Sequence, residues 1–339
     1  MNKEEMERER QRRRARIRKR RNRARLRGVI LLVVLVAVVS FAFQKLKGAG
    51  ELEEAYAYGD QAEWFVLKNL DALDESKAYT PEEVGNLRNN IIHDNIEIRI
   101  AKGQNHVTRA ADYAYDAGDI ADIIGGEAEY TGEKKIAFLT FDDGPNHKIT
   151  PQILDTLKEK DAHATFFVVG KSVGEKTRDI LVRELVEGNA IAMHSFSHDY
   201  KKLYPSRNAN ASQIELEAKQ SQVALQKVLG EDFYSGVWRY PGGHMSWHNL
   251  DAADAVLNAM DVHWIDWNAL TGDAEPASRR PVTESGLVEF LNASIKANKD
   301  ESIVVVLMHD AESKQLTANA LGNVIDNLKA QGYEFGILK

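Results

Sequence analysis

Residues 136–145 read IAFLTFDDGP. Ile136 to Phe141 is an apolar run interrupted only by Thr140, too short for a helix and stopped by a Gly-Pro break, so it reads as a strand. Two carboxylates, Asp142 and Asp143, stand at its end. Working outward, similar short runs recur at Ala164–Val168, Ala190–Met193, Gly236–Trp238, Val262–Ile265, Ser302–Met308 and Tyr333–Ile337. Amphipathic helical patterns fill the gaps. Thr150-Pro151 opens one whose face carries Ile153, Leu154 and Leu157, and Ser212–Glu215 reads as the capping box of another, with Ile214, Ala218, Leu225 and Val228 on its apolar face. Strand–helix alternation of this kind predicts parallel strands covered by helices, an α/β fold. Seven strands suggest a distorted (β/α)7-type barrel, and an open doubly wound sheet is the other reading.

The polar residues sharpen this picture. His194 follows the third run, Arg239 the fourth, Asp266 the fifth and His309 the sixth. In a parallel barrel all of these positions, with Asp142 and Asp143, open onto the C-terminal rim, where such folds carry their chemistry.

The N-terminus has a different character. Met1–Arg27 holds fourteen Lys/Arg against four Glu, and the net charge of −7 then leaves −17 on the remainder. An acidic body is a poor partner for nucleic acid, and none is expected. Gly28–Phe43 (GVILLVVLVAVVSFAF) follows with no charge, a helix of roughly 24 Å, somewhat under the hydrocarbon core. The reading is a basic cytoplasmic arm (1–27), a transmembrane signal-anchor helix (28–44) and everything later outside the cell membrane, by the positive-inside rule. A signal peptide cut after Ala42 is the competing reading. Absence of cysteine excludes disulfides, thiolate ligands and a Cys nucleophile.

Residues 45–131 carry none of this chemistry and read as an extracellular, mostly helical stalk, with Thr80-Pro81 starting a helix and Ile96, Ile98 and Ile100 alternating as a strand. Trp64, Tyr56 and Tyr58 there are read as packing residues. The catalytic domain is placed at 132–339.

An isolated Asp-Asp-Gly-Pro is more often a solvated turn, and a lone His pair four apart is more often not a ligand pair. Together they read differently. His194 and His198 would share one face of a helical turn, and a carboxylate across the rim completes a two-His, one-Asp set with an open position, as in a catalytic zinc-type site. The remaining histidines, His93, His106, His147, His163, His244, His248 and His263, are read as structural.

Thr140–Pro145, His194-x-x-x-His198, Arg239-Tyr240-Pro241-Gly242-Gly243, Asp266-Trp267 and Leu307-Met308-His309 resemble the five ordered signatures of the polysaccharide deacetylase family, the NodB-homology domain of carbohydrate esterase family four. The resemblance covers about 200 residues. One departure is His263, where the family's fourth signature usually begins with Asp, a change expected to touch the groove rather than catalysis. The resemblance implies that Asp143, His194 and His198 bind one divalent metal ion, zinc, and that Asp142 is the general base, charge-paired with Arg239. It further implies that the Tyr240 N–H holds the oxyanion, that His309 is the acid oriented by Asp266, and that Trp267 and Leu307 wall the acetyl methyl.

With an outward-facing domain, the substrate implied is N-acetylglucosamine in cell-wall peptidoglycan or a wall-attached polysaccharide. The alternatives are an O-acetyl esterase on a surface glycan or xylan, and an inactive glycan-binding barrel.

Overall fold

The computed structural model describes residues 99–339. The basic arm, the expected membrane helix and the stalk up to residue 98 lie outside the described residues. Among the described residues no helix is long and apolar enough to cross a membrane.

In chain order the elements are β1 (Ala114–Tyr115), α1 (Ala117–Gly125), β2 (Lys135–Asp142), α2 (Thr150–Glu159), β3 (Ala164–Val168), α3 (Arg178–Val186), β4 (Ala190–Met193), α4 (Tyr200–Leu203) and α5 (Ala211–Leu229). There follow β5 (Val237–Trp238), α6 (Asp251–Asn258), β6 (His263–Trp264), β7 (Ala269–Leu270), α7 (Glu284–Lys296), β8 (Ile303–His309), α8 (Gln315–Ala330), β9 (Tyr333–Phe335) and β10 (Ile337–Leu338). The main sheet runs β6-β5-β4-β3-β2-β8-β7, with β9 also on β2, and every pairing in it is parallel. The terminal strands β6 and β7 do not pair with each other, so the sheet is curled but open at one seam. This is the expected α/β barrel in its incomplete form.

Alternation along the strands sorts the core into two layers, because successive side chains point to opposite faces. Ala137, Leu139 and Phe141 of β2, with Val304, Val306 and Met308 of β8, pack against helix residues such as Ile153, Leu154, Leu181 and Leu321. Ile136 and Phe138, with Ile303 and Val305, face the concave side. Thr140 and Asp142 continue that second series upward, so the site sits at the top of the same column that forms the inner core.

The inner column is plugged by a segment that the sequence reading assigned to the stalk. Ala117 and Ile120 of α1 join the inner cluster, and the Tyr115 ring meets Phe138 edge-on at 5.4 Å. β1 pairs with β10 in parallel, and Val107 and Ala110 belong to the outer core. Residues from about Ile100 onward therefore fold with the barrel, Asn105 donating to the Leu338 carbonyl and Gln104 bridging Phe233, and the boundary drawn at 131/132 falls inside one packed unit. Ile100 forms no strand, making an isolated antiparallel bridge to Val107 and packing against the outer core.

Two local readings also change. α5 is capped by Asn210, whose side chain accepts from the Gln213 N–H, rather than by Ser212, which lies two residues later inside the first turn. β10 closes the chain as a separate strand because Gly336 breaks the predicted 333–337 run into two.

Candidate metal centre and active site

Parallel register brings Asp142 of β2 beside His309 of β8. Leu307, two residues before His309, shares its face. The rim loops then add the rest, around a cleft of about 260 Å³ lined by Asp142, Asp143, His194, His198, Trp267, Leu307 and His309 among the expected residues. A larger cavity of about 620 Å³ lies near the start of β8 and carries no cluster of metal-ligating side chains.

Asp143, His194 and His198 offer ligand atoms within 4.8 Å of one another. His198 Nε2 is 3.4 Å and His194 Nε2 3.9 Å from the same oxygen, Asp143 Oδ1. A tetrahedral ion with ~2.0–2.1 Å bonds spaces its ligand atoms by about 3.3–3.4 Å, so the three residues fit such an ion with little movement. His194 Nδ1 lies 2.9 Å from the Arg239 carbonyl, which can only accept, so this nitrogen carries the proton and Nε2 presents its lone pair. Burial, with His198 next in effect, pushes His194 down to about 3, which keeps the ring neutral as a ligand must be. The two histidines do not share a helical face as spacing suggested. They lie on a loop in which Ser195 and His198 both take left-handed backbone angles, φ 61° and 53°.

Arg239 is fully buried, and all three of its guanidinium nitrogens donate at the rim. One nitrogen donates to Thr140 Oγ1 (2.7 Å) and Asp142 Oδ1 (2.9 Å), while Nε and the other nitrogen donate to the Ile265 and Asp266 carbonyls at 3.1 Å each. Its plane also lies 3.9 Å from the Phe167 ring centroid. The expected Arg239–Asp142 pair is therefore present, with Arg239 behind Asp142 rather than in the cleft.

The expected Asp266–His309 pair is not. Asp266 turns toward the next loop, accepting from the His244 and Met245 N–H groups at 2.9 and 3.3 Å. Burial raises its pKa, only partly offset by those amides and Arg239. His309 Nδ1 instead meets Asp273 Oδ1 at 2.9 Å, and Asp273 Oδ2 accepts from the His309 N–H and from Thr317 Oγ1. Asp273 follows β7, a two-residue strand that apolar patterning did not flag.

Tyr240 does not turn its side chain into the cleft. Its side chain is buried and donates to Asp254 Oδ1, while its N–H makes no hydrogen bond among the described residues. Trp267 is held close to the loop after Tyr240: a Cβ at Gly243 (φ 82°) would come within 2.8 Å of its ring, so this position needs glycine on both counts. His263 packs beside Gly118 of α1, away from the cleft, so the departure at that position does not reach the groove. Sequence reasoning also missed Tyr200, exposed at the mouth with its ring 5.3 Å from His198.

Comparison with known proteins points to a family. The profile of the family described as Polysaccharide deacetylase matches residues 129–261. A peptidoglycan-N-acetylglucosamine deacetylase of Bacillus cereus is 34% identical over 203 residues, 60% of this chain and 69% of its own length. The chain belongs to the polysaccharide deacetylase family. A bifunctional xylanase/deacetylase of Pseudobutyrivibrio xylanivorans is 32% identical over 60% of this chain, which spans 30% of that longer protein. Among solved structures, a Streptococcus mutans CE4 esterase superposes with TM-score 0.68 at 44% identity, over 72% of this chain and 99% of that one. Polysaccharide deacetylases of this family use a divalent metal, and Asp143, His194 and His198 are the residues here that fit one. Asp266, Asp273 and His309 lie beyond the segment that the profile matches, so their roles rest on geometry.

Proposed function

We propose that this chain is a zinc-dependent hydrolase that removes N-acetyl groups from N-acetylglucosamine units of cell-wall peptidoglycan or a wall-attached polysaccharide. One observation carries the reading: three convergent ligand atoms lie beside Asp142 and His309, a carboxylate and an imidazole placed as register neighbours. An inactive glycan-binding barrel has no need of that set.

Asp143, His194 and His198 would hold a divalent ion, which would supply Lewis-acid polarisation and make water acidic near neutral pH. Asp142, anchored by Arg239, accepts the proton of the attacking water. The Tyr240 N–H donates to the oxygen that gains charge as the water oxygen bonds to the acetyl carbon. His309 has its Nδ1 committed to Asp273, so its Nε2–H faces the cleft and protonates the leaving nitrogen as the C–N bond breaks. Trp267 and Leu307 receive the methyl group. Acetate and a free amine on the sugar are the products.

The acidic body behind a basic arm and an apolar run supports placing this chemistry outside the cell membrane, anchored by the N-terminal helix. The relatives named for peptidoglycan deacetylation support the substrate class. The test is acetate release from peptidoglycan and from N-acetylglucosamine oligomers by the full chain loaded with zinc, with loss of one acetyl mass per product. Release that persists after complete chelation overturns the metal reading. Release from acetylated xylan, with N-acetylated glycans untouched, establishes the O-acetyl esterase reading instead, which the esterase and xylanase relatives make the second choice.

A further inference from the structure

We infer that Glu217, on α5, is a positioning residue for the metal centre: it sets His198 by holding the backbone of the loop that carries it. The inference rests on the metal-dependent reading above.

The two histidine ligands are secured differently. His194 directly follows β4, is 3% exposed at its side chain, and has its Nδ1 fixed on the Arg239 carbonyl. A ligating histidine is ordinarily oriented in this way, through the nitrogen that does not face the metal. His198 is 25% exposed, and among the described residues no hydrogen bond reaches its Nδ1. Its ring position follows from its backbone. That backbone is strained, with left-handed angles at Ser195 and at His198 itself, a conformation that persists only where the surroundings over-determine it.

Glu217 supplies the constraint. Its Oε2 accepts from the Phe196 N–H (3.0 Å) and the Ser197 N–H (2.8 Å). Its Oε1 accepts from Ser197 Oγ (2.7 Å) and Gln213 Nε2 (2.9 Å). Ser197 Oγ in turn accepts from the Asp199 N–H at 3.1 Å, so its own proton must point to Glu217. The carboxylate thus ties residues on both sides of His198 to one helix. Glu217 is 1% exposed and takes part in no ion pair among the described residues. Its neighbours on the buried face of α5 include Ile214, Ala218 and Leu225. Burying a carboxylate there costs free energy that α5 packing alone does not repay, and three of its four donors belong to the ligand loop.

The test measures zinc itself, by competition with a chromophoric chelator, and the visible spectrum of the cobalt(II) form, on full-length variants with folding checked by melting. Glu217→Ala is expected to bind zinc about 10–100-fold more weakly than the parent and to alter the cobalt spectrum. Glu217→Gln keeps an acceptor for both loop amides and is expected to stay within about threefold of the parent. Should Glu217→Ala fail to fold, Ser197→Ala cuts only the Oε1 branch and is expected to lose roughly 3–10-fold. A merely structural Glu217 would lower the melting temperature and leave the zinc affinity of the folded protein alone. Unchanged zinc affinity in folded Glu217→Ala or Ser197→Ala, or a Gln variant as weak as the Ala variant, overturns the inference. A parent that binds no zinc is a separate result, overturning the metal reading and this inference with it.

Discussion

His309 Nδ1 stands 2.9 Å from Asp273 Oδ1, and the other oxygen of that carboxylate receives the His309 backbone N–H at the same distance. One carboxylate therefore fixes both the position and the tautomer of the imidazole at the edge of the cleft. Burial alone would lower the His309 pKa, but the hydrogen bond and charge of Asp273, followed by the charges of Asp142 and Asp143, outweigh it and raise it. Burial would raise Asp273, and the His309 bond and charge, then Lys314 and Thr317, outweigh that and lower it. The stability from the raised imidazole is complete below the ordinary value of ~6.5 and is lost as pH rises through the higher folded pKa. The stability from the depressed carboxyl is complete above ~3.9 and is lost as pH falls through its lower folded pKa. The pair is thus fully formed across the interval between.

Asp273→Asn is expected to cut kcat on N-acetylated oligomers by about 10²–10⁴-fold, the range for loss of a competent general acid. It should also move the alkaline limb of kcat/KM to lower pH, because the charge that raises His309 is gone. Asp266→Asn should leave that limb in place, since Asp266 faces the 244–245 amides. A limb that follows Asp266 and ignores Asp273 would return the orienting role to Asp266.

Metal removal gives a second prediction. His198→Ala is expected to lose the bound ion and turnover together. Asp142→Asn should lose turnover while still binding zinc, because Asp142 is spoken for by Arg239 and is not one of the three convergent ligands. Metal analysis alongside acetate release checks both. An Asp142→Asn protein that is metal-free would make Asp142 a ligand.

Much of this was legible in sequence. Ala164–Val168 and Ala190–Met193 are strands to the residue, and β2 and β8 differ from the expected runs by a residue at either end. These are central strands, buried on both faces, so their apolar runs are broken by little more than a threonine. The seam strands are another matter. β7 is two residues long, and the preceding Asn268 does part of a strand's work with its side chain, donating to the Ile303 carbonyl and accepting from the Val305 N–H. A polar residue in that role leaves no apolar run to find, so Asp273 went unnoticed behind it. The direction of Asp266 was equally hidden, because a carboxylate after a strand says nothing about which loop amides will turn it. Likewise the plug formed by β1 and α1 depends on contacts with Phe138 and β10 that no local pattern encodes.

Arg239 yields a stability prediction. Arg239→Met is expected to cost about 3–5 kcal/mol in chemical denaturation, because it strands Asp142 as an unpaired group in a buried position. Arg239→Lys should recover little, since one ammonium cannot reach Thr140, Asp142 and the Ile265 and Asp266 carbonyls in the fork that the guanidinium spans. A lysine variant as stable as the parent would show that charge alone suffices at this position.

Asp310, next to His309, gives the last prediction. It is fully buried; its Oδ2 accepts from Thr150 Oγ1 at 2.5 Å, while its Oδ1 has no partner among the described residues. Burial pushes its carboxyl up to about 7, with the Asp143 and Asp142 charges adding to the effect. Glu184 is buried without a side-chain partner as well, and burial and then Asp310 raise it too. A carboxyl with a raised folded pKa stays protonated in the native state while the unfolded chain releases its proton. Stability from this source is therefore complete below ~3.9 and falls as pH rises to the folded value, by about 1.4 kcal/mol for each unit between the two. Asp310→Asn keeps an acceptor for Thr150 and removes the titration. In urea unfolding of metal-free protein, the variant should be close to the parent at pH 5 and more stable by roughly 1–3 kcal/mol at pH 8. The sign matters more than the size, because an ordinary carboxylate at this position would make the variant no better at pH 8 than at pH 5. Parallel stability–pH curves for the two proteins would mean that Asp310 is already ionised in the native state, with a donor supplied to its second oxygen.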